Sequence, residues 1–344
     1  MRVVIAGGGL VGLTLAGLLH RRGAEPVVLE RMEPGDYVRR GFMLGHHAYD
    51  ALDELGVLAD IRARGRAIAP TPDGGSAAIA VEVGRLLHRL AEGVPVRYRH
   101  TVTGLLRDAS GRVAGVTAEG PDGAQELHAD LVVACDGMRS RVRGMAGLAA
   151  EFAPLAEAKV EWMSPVPTEE VFSMKYLSDG GHIGFFSWPE GSFGWRSMDR
   201  CGREAAVAPG IAAFTEAWAR LLPESADGVR GLTSTDELHY GEQELLSCPE
   251  WWTPGVALIG DAAHFLGPET GASAGIGIAD AHALAQAIGM FPADADAACA
   301  AYTAWRAPAV RPLEAMDPSR RRLLGTPIPE ARPEERWPPP AEGA

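Results

Sequence analysis

The hydrophobic pattern changes character along the chain, and those changes mark its organisation. Near the start, residues 2–6 and 26–30 read as strands built on the apolar runs Val3–Ala6 and Val27–Leu29, and they flank a helical stretch beginning near Leu10. Short continuous runs of this kind predict buried parallel strands, joined here by a crossover helix. Leu52, Leu55 and Leu58 recur at helical spacing over residues 49–58, and Leu86, Leu87 and Leu90 predict a further helix. The stretch 67–80 is rich in Pro, Gly and Ala and predicts a short connection or hairpin. Residues 94–98 predict a strand, and 102–106 and 113–118 alternate. A turn follows at Pro121-Asp122-Gly123, and 127–134 predicts one more buried strand.

From about Glu151 to Tyr240 the pattern is different. Residues 182–188 and 192–198 read as antiparallel strands around Pro189-Glu190-Gly191, and 207–222 carries Phe214, Trp218 and Leu221 on one helical face. A buried run resumes at Val256. An alternating β/α frame interrupted by an antiparallel block predicts an α/β fold, Rossmann-like with an inserted antiparallel β-sheet domain. The stretch from Thr326 is rich in Pro and Glu and predicts a disordered tail.

Glycines indicate what the frame binds. Gly7, Gly9 and Gly12 stand directly after the first apolar run, and Glu30 closes the second, eighteen residues beyond Gly12. This is the dinucleotide-binding fingerprint in its expected context. Gly7 allows a tight turn, Gly9 lets the backbone approach a pyrophosphate, and Gly12 lets the helix pack against the sheet. The helix N-terminus then meets the anion with free N–H groups and its dipole. Glu30 is placed to accept from an adenosine ribose hydroxyl and would repel a 2′-phosphate, which suits FAD or NAD better than NADP. Two later strands also end in acids. One ends at Asp136-Gly137 before a turn rich in arginine, and the other at Gly260-Asp261, ahead of Pro268, Gly271 and a helix. Ligands of open α/β sheets bind at such strand ends, and a plain dehydrogenase has no need of the second one.

Bulk properties narrow the field. The 344 residues amount to roughly two domains. With 32 basic and 45 acidic residues the net charge is −13, which argues against nucleic acid as a main partner. Lys159 and Lys175 are the only lysines. Cys135, Cys201, Cys248 and Cys299 are widely spaced and predict no disulfide framework. The glycine fingerprint favours a strand and helix at the N-terminus over a leader, no run approaches a membrane span, and a cytoplasmic protein is the expectation.

The three motifs, in this order, resemble the FAD-dependent aromatic hydroxylases, the flavoprotein monooxygenases with the p-hydroxybenzoate hydroxylase fold. The specific signatures are Asp136-Gly-x-x-Ser140-x-x-Arg143 and Gly260-Asp-Ala-Ala-His264, and the resemblance spans about residues 1–58 and 86–287. It implies that Gly7, Gly9 and Gly12 hold the FAD pyrophosphate, and that Glu30, with Arg31 beside it, meets the adenosine ribose. Arg39 or Arg40 would contact the pyrophosphate. Asp136 and Arg143 would serve both FAD and the nicotinamide cofactor. Asp261 would bond the ribityl chain or pyrophosphate, and Pro268 and Gly271 would lie against the isoalloxazine. The activity implied is NAD(P)H-dependent hydroxylation or epoxidation of a small aromatic or polyketide-like substrate through a flavin C4a-hydroperoxide, in secondary metabolism. Substrate, O₂ and NADPH or NADH are the expected partners, with a homodimer among the open assemblies. The implied division is FAD-binding 1–66, 83–152 and 243–290, a connection 67–82, a substrate domain 153–242, a helical segment 291–325 and the tail 326–344.

Some residues depart from the family. The Gly-x-Gly-x-Asn usual after Pro268 is Gly271-Ala-Ser273-Ala-Gly275 here, and Val83 stands where an Arg or Gln is common, with Arg85 the nearest cation. The lysine and Trp-x-Trp-x-Ile-Pro motif of flavin-dependent halogenases are absent. An FAD-fold oxidoreductase without oxygen insertion, or a degenerate non-enzymatic partner protein, are the alternatives. His264 reads as an organiser of its turn, His46-His47 lack the companions of a metal site, and half of Phe185, Phe186, Trp188, Phe193 and Trp195 are expected in the core.

Overall fold

The computed structural model describes residues 1–35, 41–68, 78–267 and 271–316, together with Trp337. Its frame is a six-stranded sheet in the order Trp252–Thr253, Val256–Leu258, Leu131–Ala134, Val3–Ala6, Val27–Glu30, Val96–Tyr98. All pairings in it are parallel except the outermost one, between Trp252–Thr253 and Val256–Leu258. Val3–Ala6 and Leu131–Ala134 are buried at every position, as strands covered on both faces must be. The expected run 127–134 divides in two. Leu127 and His128 end a hairpin strand, Gly123–His128, and Leu131–Ala134 belongs to the large sheet. Asp130 marks the division, where its carboxylate accepts from the Arg2 amide at 2.6 Å.

The helix Leu10–Arg21 packs on this sheet, and the helix Ser273–Met290 lies against that helix and against a further one, Ala295–Glu314. Ser273–Met290 is buried nearly all round, which explains its run of Ala and Gly. A Cβ at Gly277 would lie 2.7 Å from Val11, so the close approach of Ser273–Met290 to Leu10–Arg21 at this point requires a residue without a side chain. The helical stretch 49–58 is broken into Tyr49–Glu54 and Leu58–Arg64 by Gly56 at φ +70°. Arg66–Ile68 and Ala78–Glu82 form a small antiparallel sheet whose third member, Gly41–Gly45, has no clear sequence signal.

The second large sheet is antiparallel, in the order Phe172–Tyr176, His182–Trp188, Gly191–Asp199, Glu151–Ser164, Leu238–Ser247, His264–Phe265. Its last strand carries the chain straight out of the Gly260-Asp261 turn, so the two sheets meet at that motif. One face packs Val160, Trp162, Ile183 and Phe185 against Phe214 and Trp218 of the helix Gly210–Leu221. The other presents Phe186, Trp188, Phe193 and Trp195 toward the small sheet. All five aromatics are buried; Phe185 lies on the helix side, and of the other four Phe186, Phe193 and Trp195 also line a cavity while Trp188 does not. Trp337 packs at a tilt against Phe214, with ring centres 5.3 Å apart, and Arg196 lies over its ring at 4.2 Å. The rest of the stretch from Thr326 lies outside the described residues.

Gly184 shapes this sheet. A Cβ there would lie 2.5 Å from the Trp195 indole. Gly184→Ala is therefore expected to cost about 1–3 kcal/mol by overpacking, read as a lower midpoint in urea unfolding.

Candidate active site

The first glycine turn performs three separate tasks. Gly7 sits at φ +109°, where an added Cβ would collide with the Cys135 carbonyl, and a Cβ on Gly12 would collide with the Gly7 carbonyl. Gly9 faces open space, with nothing within 4 Å of its virtual Cβ, and it begins the helix Leu10–Arg21 with no side-chain cap. The amides of that helix start are therefore available to an anion. Glu30 accepts from the Gly8 amide at 2.6 Å and the Met32 amide at 2.8 Å. Its carboxylate locks the turn as well as facing the cavity. Arg31 is exposed and lies outside the lining. Arg39, Arg40 and Pro268 lie outside the described residues.

The second acid turns away from the cavity. Asp136 accepts from the Ser140 hydroxyl at 2.5 Å and from the amides of Arg141 and Val142 at 2.8 and 3.2 Å, which caps the helix Arg141–Ala146. Arg143 is buried, donating to the Ala262 carbonyl at 2.9 Å and the Met138 carbonyl at 3.0 Å. It thus joins the Asp136 turn to the Gly260-Asp261 turn. From this segment Cys135 and Gly137, rather than Asp136 and Arg143, line the cavity.

The third turn is organised by a buried ion network. His264 Nε2 lies 2.7 Å from Asp280 Oδ2, the same oxygen accepts from the Gly260 amide at 3.1 Å, and Arg306 Nε donates to Oδ1 at 2.7 Å. Burial alone would push the Asp280 carboxyl up, but His264 and Arg306 hold it below its ordinary value. The reading of His264 as an organiser agrees with this geometry. Asp261, beside the network, lines the cavity and has no hydrogen-bond partner among the described residues. Burial pushes its carboxyl up to about 6, against a lowering by His264 and a further raising by Asp280.

These turns open onto one cavity of about 620 Å³. One end holds Gly8, Gly9, Glu30 and Asp261, and the far end is walled by Phe186, Phe193, Trp195 and Met174. Gly271 at φ +58°, Ala272 and Ser273 form the edge where the helix Ser273–Met290 begins. Ser273 donates to the Gly267 carbonyl at 3.3 Å, whereas Gly275 packs against the His46–Ala48 turn. Val83 lines the cavity, but Arg85 pairs with Glu190 at 2.7 Å outside it. No group of His, Cys, Asp or Glu among the described residues could hold a metal. Sequence reasoning missed Asp280, Arg306, Lys159 and Glu161. A single acid inside a helix rich in Ala, Gly and Ile was the available signal for Asp280, and Arg306 carried none.

The donor set and the space suit FAD. The helix after Gly9 starts uncapped beside open space, the Asp261 carboxylate, with no hydrogen-bond partner among the described residues, faces the same cavity, and a second helix start borders it. The family described as FAD binding domain matches residues 1–73 and 77–316. The chain is similar to the 6-methylpretetramide 4-monooxygenase of Streptomyces rimosus, with 29% identity over 81% of this chain and 73% of that protein. It is also similar to the aurachin C monooxygenase/isomerase of Stigmatella aurantiaca, at 26% over 89% and 85%. The solved structure of Pseudomonas aeruginosa PqsL with 2-aminobenzoylacetate shares the fold at a TM-score of 0.76, with 24% identity over 91% of this chain and 93% of that one. No helix among the described residues is long and apolar enough to cross a membrane. With sequence motifs, cavity and relatives in agreement, the chain belongs to the FAD-binding-domain family of flavin-dependent monooxygenases.

Proposed function

We propose that this protein binds FAD along the glycine-turn half of the cavity and monooxygenates an aromatic, polyketide-like substrate held at the aromatic half. The observation that carries this reading is the continuity of the cavity from Gly8 and Gly9 to Trp195. FAD, when bound, supplies reduction by NADPH or NADH and the activation of O₂. The residues of this chain supply the surroundings. The amides at Gly9 and Leu10 hold the pyrophosphate, with Gly7 and Gly12 setting their approach. Glu30 keeps lone pairs free for a ribose hydroxyl while its other hydrogen bonds fix the turn.

In this reading Asp261 accepts from hydroxyls of the ribityl chain, and the helix start at Gly271–Ser273 places N–H groups where negative charge on reduced flavin would be stabilised. Asp136 and Arg143 act at one remove, by holding the loop that carries Gly137 and the carbonyl of Ala262. Phe186, Phe193 and Trp195 keep water from the reacting centre and hold a flat substrate in line. The substrates in the names of the two monooxygenase relatives give the aromatic class its support.

The purified chain is expected to take up FAD and show flavin absorption that bleaches with NADPH or NADH in the absence of air and returns with oxygen. A chain that ignores FAD at high micromolar concentration would overturn the reading. Asp261→Ala should fold and retain little FAD.

The raised carboxyl of Asp261 gives a further expectation for the FAD-free chain. Between pH 3.8 and about 6 the folded chain keeps a proton that the unfolded chain has released, so stability falls as pH rises through that window. Asp261→Asn removes the effect. In urea unfolding it should exceed the wild type by about 1–3 kcal/mol above pH 6 and match it near pH 4.

A further inference from the structure

The aromatic end of the cavity carries sulfur as well as rings. Met174, on the strand Phe172–Tyr176, pairs across the sheet with Gly184, and Gly184 pairs in turn with Trp195. Directly paired residues share a face of the sheet, and the Trp195 indole lies over Gly184, where an added Cβ would come within 2.5 Å of it. The Met174 thioether therefore flanks that indole from the next strand. Met43 approaches from the small sheet. Its strand lies against the same aromatic cluster, with Gly41 on the Phe186 ring, and Met43 faces the same way two residues later. Both methionines line the cavity and both are half-buried. Two more sulfurs line its glycine-turn end, Met32 next to Glu30 and Cys135 beside Gly7 and Gly12. Burial pushes the Cys135 thiol well up, so it forms no reactive thiolate.

We propose that Met43 and Met174 are modification sites of the enzyme's own reaction, and that oxygen passes to one or other thioether when no substrate fills the aromatic end. The proposal rests on the flavin reading, which puts oxygen delivery in the half of the cavity that these side chains border. A thioether sulfur is polarisable and carries a lone pair that takes up oxygen, whereas the phenyl rings of Phe186 and Phe193 offer none. The balance closes with the reactants of the monooxygenase itself. NAD(P)H supplies two electrons and, with one further proton, the hydrogens of water; the O–O bond breaks, one oxygen atom bonds to the sulfur lone pair, and the other leaves as water. The products are NAD(P)⁺, water and methionine sulfoxide. A bound substrate takes the oxygen and covers both sulfurs, so the modification is confined to the empty cavity. Each sulfoxide replaces an apolar part of the wall by a polar one.

The test is peptide mapping by mass spectrometry of the FAD-loaded chain, cycled with NADPH or NADH in air without added substrate. Catalase is present to remove escaped peroxide, and where neither nicotinamide reduces the flavin, light with EDTA does so before air is admitted. Met290, 63% exposed, and Met32, at the other end of the cavity, are the internal references. Cycling is expected to leave about tenfold more sulfoxide on Met43 or Met174 than on either reference, because position rather than exposure selects the acceptor. Hydrogen peroxide added to the same loaded chain without reductant should reverse the order and oxidise Met290 first. The double variant Met43→Leu with Met174→Leu conserves side-chain volume and should remove the mark without shifting it to Met32 or Met290. Sulfoxide on Met290 or Met32 ahead of the pair, or oxygen on Trp195 or Cys135 in its place, overturns the proposal. If the double variant fails to fold, the order of oxidation in the wild type decides alone. A loaded chain that consumes oxygen and leaves both methionines unmarked overturns the proposal but not the flavin reading, whereas a chain that takes up no FAD overturns both.

Discussion

Asp280 is the group on which the site's geometry depends. It is fully buried in a helix in which it is the only acid, and both of its oxygens are engaged, by His264 and the Gly260 amide on one and Arg306 on the other. Burying an ion costs several kcal/mol, which its partners offset only while all of them are in place. The arrangement therefore ties three distant stretches together: the strand end at Gly260, the helix Ser273–Met290 and the helix Ala295–Glu314. Asp261 follows Gly260 directly, so its position in the cavity is inherited from a residue that never touches the cavity.

The same division between supporting and exposed groups recurs at the other turns. Asp136 and Arg143 spend their hydrogen-bonding capacity on the Arg141–Ala146 helix cap and on the carbonyl of Ala262. What they deliver to the cavity is the pair Cys135 and Gly137. Glu30 is intermediate, since its carboxylate braces the Gly8 turn and still faces the space beyond. In each case a charged side chain stiffens a loop, and the loop's backbone forms the wall.

The antiparallel sheet divides its labour by the two-residue period of a strand. Even-numbered positions on Glu151–Ser164, such as Val160 and Trp162, pack under the helix Gly210–Leu221, while Lys159 and Glu161 face the cavity. Small residues make room for large ones, as Gly184 does for Trp195. A wall built this way is rigid, because each indole rests on backbone.

Much of the frame was legible in the residues alone. Gly7, Gly9 and Gly12 have local causes, a tight turn, an open approach and a helix–strand contact, and such causes leave a fixed spacing in the sequence. The paired strands at 182–188 and 192–198 were equally plain, because their turn is local. Register and partnership were not legible. Strand Gly41–Gly45 gains its place only from Ala78–Glu82, and the break at Asp130 comes from an amide 128 residues away. Residue order alone was enough to predict the glycine turns and the two kinds of sheet. That Asp136 caps a helix, that Asp280 carries the third turn and that Lys159 reaches the aromatic wall emerged from long-range packing. Those outcomes depend on which distant groups satisfy each buried charge, and no local pattern records such a choice.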